Sequence, residues 1–220
     1  MALVGPDGVG KTTISGRLPG LLEAPVHRLY AGDNPEATER MLPTTRLVWW
    51  CRRRTGHRVA HGPPRARRRH RRSLPARLLQ APRVLALLAA QCAEEWSRLH
   101  RARRLARAGA VVVLDRSYLH DYYHHDVDAA GRSPTQRLHG WWLRRVLPRP
   151  ELSVFLDAPA ALLHARKPEG SVEDLRRRRE EYLDLEGLTS GWVRVDAGGD
   201  PEVVAAAVAD AVRSFRRARP

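Results

Sequence analysis

Cysteine is nearly absent from this chain. Only Cys51 and Cys92 occur in 220 residues, too few for a disulfide framework or a zinc site built from cysteines. A reducing cytosol is therefore the expected compartment. Long apolar runs are missing too. Val84–Ala90 and Ala110–Leu114 are among the longest, and a membrane span needs roughly 18 residues. No leader pattern opens the sequence, since a glycine-rich stretch occupies that place. Acidic residues are absent from one long and strongly basic segment. Arg46 to Arg83 holds thirteen arginines and no Asp or Glu, leaving 26 basic against 24 acidic residues elsewhere. The net charge of +15 thus describes a near-neutral domain with one basic insertion at about 46–83. Global charge then argues little for nucleic acid. Aromatic residues are scarce in the insertion beyond Trp49-Trp50, which disfavours a base-stacking surface. Three readings of it stay open: a solvated loop, a flap over an anionic substrate, or contact with nucleic acid or an anionic membrane surface.

What is present begins with Gly5-Pro6-Asp7-Gly8-Val9-Gly10-Lys11-Thr12-Thr13, which meets G-x-x-x-x-G-K-[ST] at every defined position. Glycines let the backbone curl so that successive N–H groups face anionic oxygens. Lys11 supplies a mobile charge for β- and γ-phosphates, and the Thr12 hydroxyl can ligate Mg²⁺. A helix opening near Lys11 aims its positive end at the same anion. The competing reading is a glycine-rich turn with a chance Lys-Thr. Apolar Ala2-Leu3-Val4 before it and a short helix from Thr12 to Leu22 after it favour the phosphate site. Only four residues precede Gly5, so either the first strand is clipped or the chain starts upstream of Met1.

Val26–Tyr30 reads as a second strand, Ala31–Pro35 as a loop, and Glu36–Met41 as a helical turn or two. Order is expected to resume at Val84, where Leu85, Leu88, Cys92, Trp96 and Leu99 keep helical spacing. Glu94 precedes Arg98 by four residues, a supportive pair, and Gly109 closes the helix. Ala110–Leu114 reads as a strand covered on both faces, ending at Asp115-Arg116. Ser133-Pro134 opens a helix, Leu152–Leu156 forms a buried strand ending at Asp157, and Pro159 opens a helix through Ala165. Ser171 caps a charged helix to about Leu185, with Glu173 and Asp174 in its first turn. Trp192–Val195 is the last strand, and Asp200-Pro201 starts the terminal helix. Such alternation predicts one α/β domain: a doubly wound parallel sheet of five strands with helices on both faces. Ligands then gather beyond the carboxyl ends of the strands, where Asp7, Lys11, Asp115, Arg116 and Asp157 fall. For Asp157 a helix cap is the favoured reading.

Four of these pieces resemble the thymidylate-kinase-type P-loop nucleoside monophosphate kinases. They are Gly5–Thr13 with Asp7; the helix from Leu87 to Arg107 leading to Val111-Val112-Val113-Leu114-Asp115-Arg116; Phe155–Pro159 followed by Ala165-Arg166-Lys167; and Arg179–Leu183 with the final Val195-Asp196-Ala197. The resemblance implies a P-loop kinase fold, ATP and Mg²⁺ as cofactors, and a short lid at about 164–172. It implies nucleotide contacts from Gly5, Gly8, Val9, Gly10, Lys11, Thr12 and Thr13, with Thr12 and Asp115 at the metal. Asp7 and Arg116 would face the acceptor. Arg166, with Lys167, would close over ATP and neutralise the transferred phosphoryl group, because Val9 leaves the loop without an arginine. Competing readings are a surface ion pair for Asp115-Arg116 and helix-end charges for Arg166-Lys167.

The sequence also departs from that family. Tyr30–Pro35 replaces the Thr-x-Arg-Glu-Pro-Gly motif, and Cys92 falls where the base-binding arginine belongs. Tyr118 to Asp126 replaces the family's Ser and Tyr-Gln positions. In that segment His120 and His124 share helical spacing, as do Asp121 and His125. Substrate contact or polar packing is expected there rather than a transition-metal site. The reading is a kinase moving the γ-phosphoryl group of ATP to a small acceptor, a nucleoside monophosphate or another phosphorylated metabolite, and not specific for dTMP. A hydroxyl kinase of secondary or glycan metabolism is the alternative within the class. A nucleotide-binding module whose basic insertion binds nucleic acid is the alternative outside it. Homodimer formation stays open.

Overall fold

The computed structural model describes residues 1–31, 42–43, 45–46, 74–168 and 170–218. The basic insertion between 47 and 73, the Gly32–Pro35 loop and the helical turn expected at Glu36–Met41 lie outside the described residues. Described residues group into two compact units, one of 1–32, 101–120 and 148–220, the other of 33–100 and 121–147.

The first unit holds five parallel strands: β1 (Ala2–Val4), β2 (Val26–Tyr30), β3 (Val111–Asp115), β4 (Leu152–Asp157) and β5 (Gly191–Asp196). Their order is β2-β3-β1-β4-β5. β1 is short yet central, with Ala2 opposite both Leu114 and Ser153. β3 and β4 are buried along their whole length, as their unbroken apolar runs predict for strands covered on both faces. The helices are α1 (Lys11–Arg17), α2 (Leu74–Arg107), α3 (Tyr118–Tyr122), α4 (Pro134–Arg145), α5 (Ala160–Arg166), α6 (Val172–Leu183) and α7 (Pro201–Arg217). The chain leaves β1 toward one edge of the sheet and leaves β4 toward the other. Parallel crossovers are right-handed, so these opposite directions put helices on opposite faces, consistent with a doubly wound sheet. α1 packs on α7, and α5 on α6. Leu3, Ile14, Val113, Val154, Leu156 and Val208 are among the residues of the core they enclose.

Capping follows the sequence closely. Asp200 accepts from the Glu202 amide with Pro201 at the first helical position, and Ser171 accepts from the Asp174 amide. The helix expected from Thr12 to Leu22 is shorter: α1 stops at Arg17 and a 3₁₀ turn covers Leu18–Gly20, because Pro19 lacks the amide a further α turn needs. No helix among the described residues is long and apolar enough to cross a membrane.

In the second unit, α2 begins at Leu74, ten residues before the expected start at Val84, and carries Pro82 inside it. Pro75 and Pro82, which read as breakers, mask a helical segment in the sequence. Glu94 does pair with Arg98, at 2.8 Å, and it does more. Its other oxygen accepts from the Leu42 amide at 2.9 Å and the Thr45 hydroxyl at 2.8 Å. The segment after His120 ends α3 and continues as a π-helical turn, Tyr123–Val127. α4 opens with a complete capping box between Ser133 and Gln136, a feature worth about 1 kcal/mol. Gly140 lets this helix lie against the turn: a Cβ there would stand 2.2 Å from the Asp126 carbonyl oxygen.

Candidate active site

The site is built at the carboxyl ends of β1 and β3. The chain leaves β1 at Gly5, where a Cβ would meet the Leu156 carbonyl oxygen at 2.6 Å. Only glycine lets the loop start this close to β4. Gly8 meets a second limit, with φ of 85° and a virtual Cβ 2.8 Å from the Leu163 carbonyl oxygen. Val9 points into the core and is 2% exposed. Its burial fixes one side of the loop and leaves the other to Asp7, Lys11, Thr12 and Thr13.

Lys11 turns back over the loop and donates from Nζ to the Gly5 carbonyl at 2.7 Å and the Pro6 carbonyl at 2.9 Å. Thr12 donates from Oγ1 to Asp115 Oδ2 at 2.9 Å. Asp115 ends β3 and is buried, so its carboxylate is rigidly presented beside the loop hydroxyl. These are hard oxygen donors, few in number, a set that suits a small divalent cation retaining most of its water. They fit Mg²⁺.

The next residue, Arg116, is the one described non-glycine residue with positive φ, 76°. Backbone strain of this kind costs on the order of 1–3 kcal/mol and persists where surrounding contacts enforce it. Here Arg116 Nη2 donates to Asp7 Oδ1 at 3.0 Å, while Arg178 Nη1 from α6 donates to Asp7 Oδ2 at 2.9 Å. Burial alone would raise the Asp7 carboxyl. Lys11, Arg116, Arg178 and Lys167 outweigh burial and hold it below its ordinary value. Asp7 is thus an anion at neutral pH, gripped by two guanidiniums at the loop's rim.

Asp7, Lys11, Thr12, Asp115 and Arg116 are therefore brought together, as the sequence expects. Arg166 is engaged elsewhere: it donates to the Ala197 carbonyl at 2.8 Å and the Gly198 carbonyl at 3.0 Å, bracing the segment after β5. Its neighbour Lys167 lies by the loop, with its Cβ 3.3 Å from a virtual Cβ on Gly8. Asp157 is not a helix cap. Pro159 stands at the start of α5 without a side-chain cap, and Asp157 accepts from Arg179 and Arg194 instead. A buried carboxylate at that strand end can reach two guanidiniums of its own unit, and a charge-assisted pair outweighs a neutral cap bond. Arg178 is the residue that sequence reasoning missed. It sits in the run Arg176–Arg179, where nothing in the sequence separates one arginine from its neighbours.

In the Tyr118–Asp126 segment, His120 is packing. Its Nδ1 meets Ser117 at 2.9 Å, its Nε2 faces Ser153 at 3.3 Å, and the ring stacks on Trp192. Burial pushes its pKa down to about 4, so the ring is neutral. His125 contacts Asp126 and Gln136. In the second unit Cys92 lines an apolar groove of about 440 Å³ with Ala89, Ala93, Trp96, Trp142 and Val146. Burial, helped by Glu95, pushes its thiol up to about 12, which excludes an activated nucleophile.

No family model and no curated protein matches the chain.

Proposed function

We propose that this protein is an ATP- and Mg²⁺-dependent phosphotransferase with a P-loop kinase fold, acting on a small acceptor. The observation that carries the reading is the 2.9 Å contact between Thr12 Oγ1 and the buried Asp115 carboxylate. It joins a complete G-x-x-x-x-G-K-[ST] loop to an acidic strand end, the pairing that holds a nucleotide's divalent cation in P-loop enzymes. Bound ATP and Mg²⁺ would supply the transferable phosphoryl group and neutralise part of its charge. The chain's own residues do the rest by position. Loop amides from Gly8 to Thr13 would hold the phosphates, and Thr12 with Asp115 would hold the cation. Lys11, which donates to the Gly5 and Pro6 carbonyls, would supply its charge to the phosphate oxygens. Asp7 is held by Arg116 and Arg178, so both guanidiniums stand ready for an anionic acceptor or the migrating group. Charge stabilisation of this kind is the main source of catalysis when little covalent work is needed.

Acceptor choice is tested directly. Cys92 offers neither the charge nor the paired donors of an arginine, and sites that lack such donors discriminate bases poorly. With ATP, dTMP is expected to react with kcat/KM below about 10⁴ M⁻¹s⁻¹, the lower end of the range for true substrates. A screen of nucleoside monophosphates, other phosphorylated metabolites and hydroxyl acceptors should find a better one. No ATP-dependent transfer to any acceptor overturns the kinase reading, and selective, efficient dTMP phosphorylation overturns the acceptor claim.

Arg178 gives a sharper test of the geometry. Arg178→Ala should lower kcat by about 10²-fold, in the range seen when one positioned donor is removed. Stability should change by less than about 1 kcal/mol, because Arg178 itself is 46% exposed and Asp7 keeps Arg116 as its partner. Arg176→Ala, which removes exposed pairs with Glu173 and Glu180 on its own helix, should leave kcat unchanged. Equal kinetics for the two variants would remove Arg178 from the site.

A further inference from the structure

We infer that Cys92, Glu95 and His139 form a binding site for a zinc-class divalent metal ion in the second unit. Their candidate ligand atoms all lie within 4.8 Å of one another. Cys92 and Glu95 stand three residues apart on α2, so they share one face of that helix. His139 comes from α4. Zinc holds sulfur at about 2.3 Å and imidazole nitrogen at about 2.0–2.1 Å. Tetrahedral donors at those lengths are about 3.5 Å apart, so the thiol has at most about 1.3 Å to close.

The histidine is already oriented as a ligand. Its Nδ1 contacts Asp126 Oδ2 at 2.5 Å, which leaves Nε2 facing Glu95 Oε1 at 3.0 Å. A carboxylate on the far nitrogen is the usual partner of a metal-bound imidazole, fixing its tautomer and raising its basicity. Glu95 and His139 are both almost fully buried. The 3.0 Å separation of the carboxylate oxygen and Nε2 is a hydrogen bond without an ion and a coordination edge with one. Gln91 Nε2 donates to Glu95 Oε1 at 3.0 Å, so the carboxylate has an outer support of its own. Mixed sulfur, nitrogen and oxygen donors select zinc-class ions over Mg²⁺ or Ca²⁺. Cys92 also lines the apolar groove with Trp96 and Trp142, so the sulfur side of the cluster borders a cavity. Coordination releases the Cys92 Sγ proton and the His139 Nε2 proton to solvent. Sequence counting misses the site because it uses one cysteine and two elements 44 residues apart.

The full-length protein, stripped with a chelator and free of nucleotide, is titrated with Co²⁺ and then with Zn²⁺. One equivalent of Co²⁺ should bind with a thiolate-to-cobalt charge-transfer band, and Zn²⁺ should displace it. Cys92→Ser should abolish the band, whereas Cys51→Ser should keep it. Asp126→Asn should weaken Zn²⁺ binding by about 10- to 100-fold, the loss typical of an outer-shell partner. Absence of the band, its survival in Cys92→Ser, or its loss in Cys51→Ser overturns the proposal. X-ray absorption of the wild-type Zn²⁺ complex gives a check free of mutant folding: one sulfur with nitrogen or oxygen donors is expected, and a shell without sulfur overturns it.

Discussion

Lys11→Ala is expected to lower phosphoryl transfer by about 10³-fold or more, a loss of roughly 4 kcal/mol of barrier stabilisation. The chain uses arginine for basic positions almost everywhere. Lys11 and Lys167 are its only lysines, and both adjoin the loop. At position 11 a compact, mobile ammonium is required, since it must follow the phosphate oxygens from the floor of a tight loop. Without nucleotide its Nζ is held by the Gly5 and Pro6 carbonyls, so it is pre-positioned. Those two acceptors lose a charged donor in the alanine variant, at a cost of about 1–3 kcal/mol. The melting transition should therefore shift but stay cooperative while activity vanishes. Lys11→Arg tests shape against charge: its planar head does not fit the same three-donor arrangement, and activity should stay at least about 10²-fold down. A cooperatively folded Lys11→Ala protein with near wild-type turnover would remove the loop from the reaction.

The second large effect falls on stability. Asp157→Ala should destabilise the fold by about 2–3 kcal/mol, since it removes hydrogen bonds to charged partners and leaves two guanidiniums without their acceptor. The value stays at the lower end because Arg194 and Arg179 retain water contact, with side chains 55% and 29% exposed. Burial would raise the Asp157 carboxyl, but the hydrogen bonds and charges of Arg179 and Arg194 prevail and hold it below its ordinary value. A carboxyl lowered in the folded state stabilises at every pH above its unfolded value, near 4. That contribution disappears as pH falls through the lower folded value. Urea midpoints of wild type and Asp157→Ala should therefore differ at pH 7 and converge as the solution becomes more acidic. A pH-independent gap would mean that lost packing, not charge, causes the effect.

The four arginines of α6 show where sequence reading stops. Arg176 and Arg177 pair with Glu173 and Asp174 on their own helix, which spacing alone foresees. Arg178 reaches Asp7 in the loop after β1, and Arg179 reaches Asp157 at the end of β4. Successive helical residues differ by about 100° in direction, so four identical neighbours take four different partners. The sequence cannot rank them until the helix is docked.

Other parts were legible because local chemistry decides them. The glycines and Lys-Thr of the loop, the β-branched runs of β3 and β4, and the caps at Ser133, Ser171 and Asp200 all act within a few residues. Parallel alternation could be read from the spacing of these signals. The start of α2 could not, since Pro75 and Pro82 obscured its helical segment. Tertiary structure alone decided that Arg178 reaches Asp7 across 171 residues, that Asp157 serves an ion pair rather than a cap, and that Cys92, Glu95 and His139 converge. Each depends on which elements lie side by side, and adjacency is set by sheet order and helix packing rather than by any neighbour in the chain.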